Sequence, residues 1–338
     1  MKIKVLCLTL VAMLLCSAAL YAGGDERIGT SGAQELRIPV GSRMSALAGA
    51  GVAEAVGAEA LYWNPAGVAY YDGTEVMFTH LQYFADIDVN YFAATTAIED
   101  FGSIGLSAKV VSFGDIEKTT VLAPEGTGEI LSPSYSVIGL TYSRRFTDRV
   151  AFGATGMLVN ERIDQLSATG VAFDFGFVYD PGWQGLKFGL VVKNYGPQMR
   201  FSGSDFDVDN DVPGAEPGTP DRTFRSQSAS FELPSSVQLG ASWNLLRNEA
   251  NSATIMGLFQ SNNFSEDEFR GGIEYAFNDM FFLRGGYVGS TQDDYMYGPS
   301  VGAGLKMTWG NTTFVLDYSW MQTEFFDNNQ FFTVKFGF

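Results

Sequence analysis

The sequence predicts an all-β membrane protein, a transmembrane antiparallel β-barrel of about fourteen strands with an N-terminal hatch plugging its lumen. Three observations predict it. Period-two alternation runs along almost the whole chain after Gly73. The alternating faces have inverted polarity, with aromatic and aliphatic residues on one and charges on the other. Finally, the connections between strand segments alternate between short turns and longer loops.

The chain opens with a segment that reads as a secretory signal, residues 1–22. Lys2 and Lys4 precede an apolar stretch from Val5 to Leu15, and small residues lead to a cleavage point after Ala22. A lipid-bearing Cys16 is the competing reading, opposed by Leu15 where a small residue belongs. Cys7 and Cys16 are the only cysteines, so the mature chain is left without disulfides, thiolate catalysis or cysteine metal sites. No later stretch is apolar enough for a transmembrane helix, so membrane residence requires a closed barrel. A formal charge of −17 disfavours nucleic acid as a partner.

Residues 23–73 are Ala- and Gly-rich, lack strand alternation and predict short helices joined by glycine hinges. A barrel of about fourteen strands encloses more space than its own side chains fill, and this segment would occupy it as the hatch.

Residues 74–338 form the predicted barrel. Strands are expected at roughly 74–83, 88–98, 102–113, 134–146, 149–161, 169–180, 185–195, 235–246, 252–263, 268–278, 280–290, 298–310, 312–323 and 330–338. Val171, Phe173, Phe175, Phe177 and Tyr179 alternate with Ala172, Asp174, Gly176 and Val178. Alternation alone also fits a soluble sandwich. Two features favour the membrane. Tyr142, Tyr179, Trp243, Trp309 and Trp320 stand near strand ends, as interfacial girdles require. The other face carries Lys109, Lys187, Arg270, Arg284, Lys306 and Lys335 opposed by Asp174, Glu274 and Asp317, which suits a lumen laced with ion pairs and not an apolar core. With a periplasmic N-terminus, the short turns fall on the periplasmic side and the long connections 114–133 and 196–234 on the outer side.

The chain ends on a strand with Phe332, Val334, Phe336 and Phe338 on one face. Such an ending resembles the assembly signal by which bacterial outer-membrane barrels engage their insertion machinery. The bacterial outer membrane, with its lipid as first partner, is therefore the expected location.

Arg43-Met44-Ser45-Ala46-Leu47-Ala48-Gly49-Ala50-Gly51-Val52-Ala53 is followed by Glu59-Ala60-Leu61-Tyr62-Trp63-Asn64-Pro65-Ala66-Gly67. This stretch resembles the N-terminal signature of the PorV/PorQ family, within the FadL-like superfamily of outer-membrane proteins. In that superfamily the hatch carries an Asn-Pro-Ala motif, here Asn64, Pro65 and Ala66, followed by Gly67. Glu59 stands where relatives favour aspartate. Physically, Asn64 can bond nearby backbone while Pro65 fixes φ, which gives a rigid turn. The turn either positions the hatch or touches a ligand.

Chemistry elsewhere is sparse. His80 is the single histidine and no Gly-x-Ser-x-Gly elbow is present, so no enzyme activity and no cofactor are expected. Asp205, Asp207, Asp209, Asp211 and Glu216 have a spacing similar to a calcium loop. Asn210 replaces the glycine such a loop needs, Pro213 is awkward and no helices flank it, so a solvated acidic loop stays open beside the metal reading. The family resemblance implies a role in type IX secretion. There the barrel would be a cargo shuttle, gripping cargo C-terminal domains with its outer loops 114–133 and 196–234 and docking on the translocon through its wall. The alternative is a FadL-type transporter of small hydrophobic molecules.

Overall fold

The computed structural model describes residues 27–210, 222–290 and 295–338; the expected signal segment lies outside them. Fourteen strands form the barrel: β1 Thr74–Gln82, β2 Asp88–Ile98, β3 Gly102–Ser112, β4 Ser134–Thr147, β5 Val150–Ile163, β6 Leu166–Tyr179, β7 Leu186–Tyr195, β8 Ser236–Arg247, β9 Asn251–Asn262, β10 Glu268–Phe277, β11 Phe281–Ser290, β12 Tyr297–Trp309, β13 Thr312–Thr323 and β14 Asn329–Gly337. Each pairs antiparallel with its sequence neighbours, and β1 closes on β14 from Glu75↔Gly337 to Gln82↔Gln330. Closure leaves no sheet edge, the condition for a strand protein to live in hydrocarbon. No helix among the described residues is long and apolar enough to cross a membrane.

The expected polarity holds along the wall. On β6, Phe173, Phe175, Phe177 and Tyr179 are exposed to the surroundings, while Ala172, Asp174 and Val178 are buried toward the lumen. Tyr142, Tyr179, Trp243 and Trp309 lie outward near the short-turn end, and Trp320 is partly exposed near the other end. Short turns join strands at the first end. In the turn between the paired Phe277 and Phe281, Asn278 and Asp279 both take φ 52°, the left-handed conformation that Asn and Asp tolerate.

The two long connections, expected as plain loops, carry structure of their own. Ile116–Glu117 pairs with Ile130–Leu131, and Asp207–Asn210 pairs with Arg222–Arg225, each as a short hairpin above the barrel. These pieces escape period-two reading because two to four residues are too few to show a period. An irregularity occurs in β7, whose span matches the expected 185–195. Its register against β6 slips between Phe173 and Phe175, Asn194 takes φ 57°, and the strand ends at Tyr195. The upper part of β6 pairs instead with Ser202–Gly203.

Residues 27–73 fill the lumen as short helical pieces: turns of 3-10 helix at Gln34–Arg37, Gly57–Glu59 and Pro65–Tyr70, with α1 Ser42–Ala46 and α2 Ala60–Trp63. Met44, Leu47, Val52, Leu61, Trp63 and Val68 form one buried cluster with Met77, Tyr91, Val191, Met256 and Leu258 of the wall. Wall glycines make room for it. A Cβ on Gly176 would collide with Asn64 Oδ1, and one on Gly153 with the Pro65 carbonyl. Gly176→Val is therefore expected to push the hatch off the wall, so that limited proteolysis of the folded barrel cuts between residues 40 and 70. A variant as protease-resistant as the parent would contradict this packing.

Candidate functional site

Three parts of the hatch make contacts specific enough to matter for function. The first is the Asn64-Pro65 turn. Asn64 is fully buried; its Oδ1 accepts from Ala66 N at 3.1 Å and caps the following helical turn. Its Nδ2 donates to Val52 O at 2.8 Å and to Phe177 O of the wall at 3.3 Å. One amide thus joins both halves of the hatch to β6. Pro65, Ala66 and Gly67 are buried with it. Trp63 extends the link by donating from Nε1 to Val40 O at 2.8 Å.

The second part is an ion network between hatch and wall. Arg43 of α1 grips Glu274 with Nε at 2.8 Å and Nη2 at 2.9 Å, a bidentate fork. Arg43 also reaches Glu59 Oε2 at 3.3 Å, and Lys335 approaches the same oxygen at 3.7 Å. Along the wall Arg284 bridges Glu274, its cross-strand partner, and Asp317 at 2.6 Å and 2.5 Å. Lys187 reaches Glu54 of the hatch at 2.9 Å. So Glu274, Arg284, Asp317, Lys187 and Lys335 join as expected, and the hatch residues Arg43, Glu54 and Glu59 supply the partners that no local pattern announces. The other four expected members do otherwise: Arg270 pairs with Glu268, two residues away on its own strand, and Asp174 Oδ1 accepts from Asn194 N at 2.7 Å. Among the described residues Lys109 makes no ion pair; its Nζ donates to the carbonyls of Glu35 and Ile38 at 3.1 and 2.8 Å. Lys306 pairs with Asp279 at an exposed turn.

The third part is a cavity of about 500 Å³ between the hatch and the long-loop end. Its floor includes Tyr62, Trp63 and Glu35, and its walls carry Tyr83, Phe113, Tyr135, Tyr297, Lys193 and Arg270. Glu35 is buried beside Glu161 of β5. Burial first, and the Glu161 charge second, push the Glu35 carboxyl up to about 8, so it stays protonated near neutrality. The Tyr62 phenol is likewise pushed up by burial, and it donates to the carbonyls of Leu36 and Arg37 at 3.2 Å each.

The remaining residues singled out in the sequence lie elsewhere. His80 faces outward near the end of β1, its Nδ1 3.0 Å from Asn90 Oδ1. Asp207 is held bidentately by Arg225 at 2.6 and 2.8 Å, and Asp205 Oδ2 accepts from Gln165 N at 3.3 Å. Asp209 lies on the same short strand as Asp207, while Asp211 and Glu216 fall outside the described residues. Among the described residues no group of three or more acidic, His or Cys side chains could hold a metal. Phe332, Phe336 and Phe338 project outward from β14 or its end, with Val334 partly exposed.

The model of the family described as type IX secretion system protein PorV matches residues 22–207, more than half of the chain. The chain belongs to the PorV family. It is an outer-membrane component of type IX secretion, and its family ties it to that machinery. Solved structures place the PorV-family barrel on the FadL-like fold. The Pseudomonas putida toluene transporter TodX matches with a TM-score of 0.55 at 14% identity, covering 88% of this chain and 97% of its own. A Pseudomonas aeruginosa FadL homologue gives 0.53 at 14% identity, covering 89% and 98%. The CymD monoaromatic hydrocarbon channel gives 0.53 at 10% identity, covering 88% and 96%. No curated protein matches the sequence. Identities this low carry the fold and nothing of the ligands.

Two expectations follow from this geometry. Glu274→Gln removes the charge that two guanidiniums share, and should cost about 3–5 kcal/mol. A lower unfolding temperature of the detergent-solubilised barrel would register it, and an unchanged one would count against the network. For Glu35 the folded state holds a proton that the unfolded chain gives up, so stability falls as pH rises from the ordinary 4.5 to about 8 and levels off above. Glu35→Gln should flatten that slope and gain most at pH 8, as melting curves across the range would reveal.

Proposed function

We propose that this PorV-family barrel acts as a cargo shuttle, receiving secreted proteins at the translocon and carrying them by their C-terminal domains through its extracellular loops. The observation that carries this reading is the hairpin around Ile116–Glu117 and Ile130–Leu131. Its tip exposes Val121 and Leu122 at 99% and 97%, while Lys118 anchors its base to Glu129 and Asp164 at 3.2 and 3.4 Å. Two bare aliphatic side chains on a braced hairpin are suited to docking a protein surface, since function gathers on loops held by rigid scaffolds. The filled lumen agrees with this division of labour, because a protein handled at the loops need not pass through the barrel.

Deleting the gene should leave cargo with C-terminal signal domains in the periplasm. Val121→Asp with Leu122→Asp should reproduce much of that defect while the barrel still reaches the outer membrane; secretion at the parental level would sink the loop assignment. The outward aromatic row Phe332, Phe336 and Phe338 supports a further reading, that the last strand engages the insertion machinery. The cavity above the hatch favours a second functional reading, transport of small hydrophobic molecules in the manner of FadL. Uptake of a fluorescent hydrophobic substrate that depends on this gene would support it.

A further inference from the structure

Lys193 is only 4% exposed, yet it lines the outer cavity. Its Nζ lies 3.5 Å from the centroid of the Tyr62 ring and 5.9 Å from that of Trp63. Among the described residues it has neither an ion-pair partner nor a hydrogen-bond acceptor. The carboxylate that chiefly opposes its charge is Asp174, whose Oδ1 already accepts from Asn194 N at 2.7 Å. Lys109, on the same tyrosine at 4.3 Å, is bonded to two carbonyls and leaves Lys193 as the cation without an oxygen. The strand slip at Asn194 lies immediately beyond it.

The other charges around the cavity are spent. Glu268 is held by Arg270 and by Arg37, the latter at 3.4 Å. Glu35, pushed up to about 8 by burial, is uncharged near neutrality. The amides Gln238, Gln260 and Asn262 bond in series at 2.9 and 2.7 Å, which leaves Gln238 Oε1 buried without a donor. A buried ammonium with aromatic rings in contact and its nearest opposing carboxylate, Asp174, beyond ion-pair distance is poorly compensated, because the π-face returns less than an oxygen anion does. The rings of Tyr83, Phe113, Tyr135 and Tyr297 supply the apolar wall.

We propose that this cavity binds a small organic carboxylate with an aromatic body, its carboxylate ion-paired to Lys193 and its ring seated among Tyr83, Phe113, Tyr135 and Tyr297. The size suits such a molecule, since pockets of a few hundred cubic ångströms enclose small ligands. The buried cation selects against an uncharged hydrocarbon of the same shape, whose binding would leave the ammonium without an anion in direct contact. This site needs neither the shuttle role nor transport to be correct, for it concerns binding alone.

The test uses the full-length barrel in amphipol and calorimetric titration with 3-phenylpropionate and, as its uncharged counterpart, 3-phenylpropan-1-ol. The acid is expected to bind at least about tenfold more tightly than the alcohol. Lys193→Met should abolish that preference, and Lys193→Arg should keep most of it. The proposal is overturned if acid and alcohol bind alike, if neither binds, or if Lys193→Met retains the preference. Should Lys193→Met fail to fold, the wild-type comparison decides by itself, supported by the carboxyl-carbon NMR shift of labelled acid on binding.

Discussion

A polypeptide wall in hydrocarbon must pair every backbone amide and carbonyl within itself, because no water is there to take up the remainder. In this chain that requirement is met by joining β1 to β14, segments at opposite ends of the barrel sequence. Everything else follows from the join. Closing fourteen strands creates a lumen too wide for its own side chains, the lumen admits a hatch, and the hatch then needs fastening. The fastening is electrostatic where wall charges face inward and steric where wall glycines let backbone approach.

Fastening by charge has a particular character here. The ties between hatch and wall join elements distant in sequence, as when Arg43 and Glu274 meet across 231 positions. A buried ion pair of this kind adds little net stability over a well-packed apolar substitute, but breaking it leaves an orphaned charge. It therefore discriminates one seating of the hatch from neighbouring ones more than it strengthens the seat. Asn64 adds the same discrimination with neutral bonds, since its three partners come from two hatch segments and one strand.

The wall was legible in the sequence because its physics is local and periodic. Residues two apart share a face, and Val171 through Tyr179 announce that face without reference to any partner. The hatch was legible as an absence of alternation ending in Asn64 and Pro65. The partners of Arg43, Lys109 and Lys335 were not, because they are fixed by how an irregular segment sits within a cylinder, and no periodicity encodes that. The inward placement of Lys193 follows from alternation along β7; the register slip immediately beyond it is revealed only by the three-dimensional pairing of β6 with β7.

The early end of β7 has a mechanical meaning for the barrel. Above Tyr195 the wall between β6 and β8 is completed by the chain after Gly196, with Met199 and Phe231 exchanging backbone bonds at 2.9 and 2.8 Å and Met199 and Leu233 packed inward. Elsewhere shear between strands must break a continuous ladder of peptide hydrogen bonds. Along this seam it works mainly against side-chain packing, which yields over shorter distances and recovers without re-registering a strand. The ladder of the cylinder is thus continuous around most of its circumference and interrupted over one short stretch above Tyr195, beside the cavity.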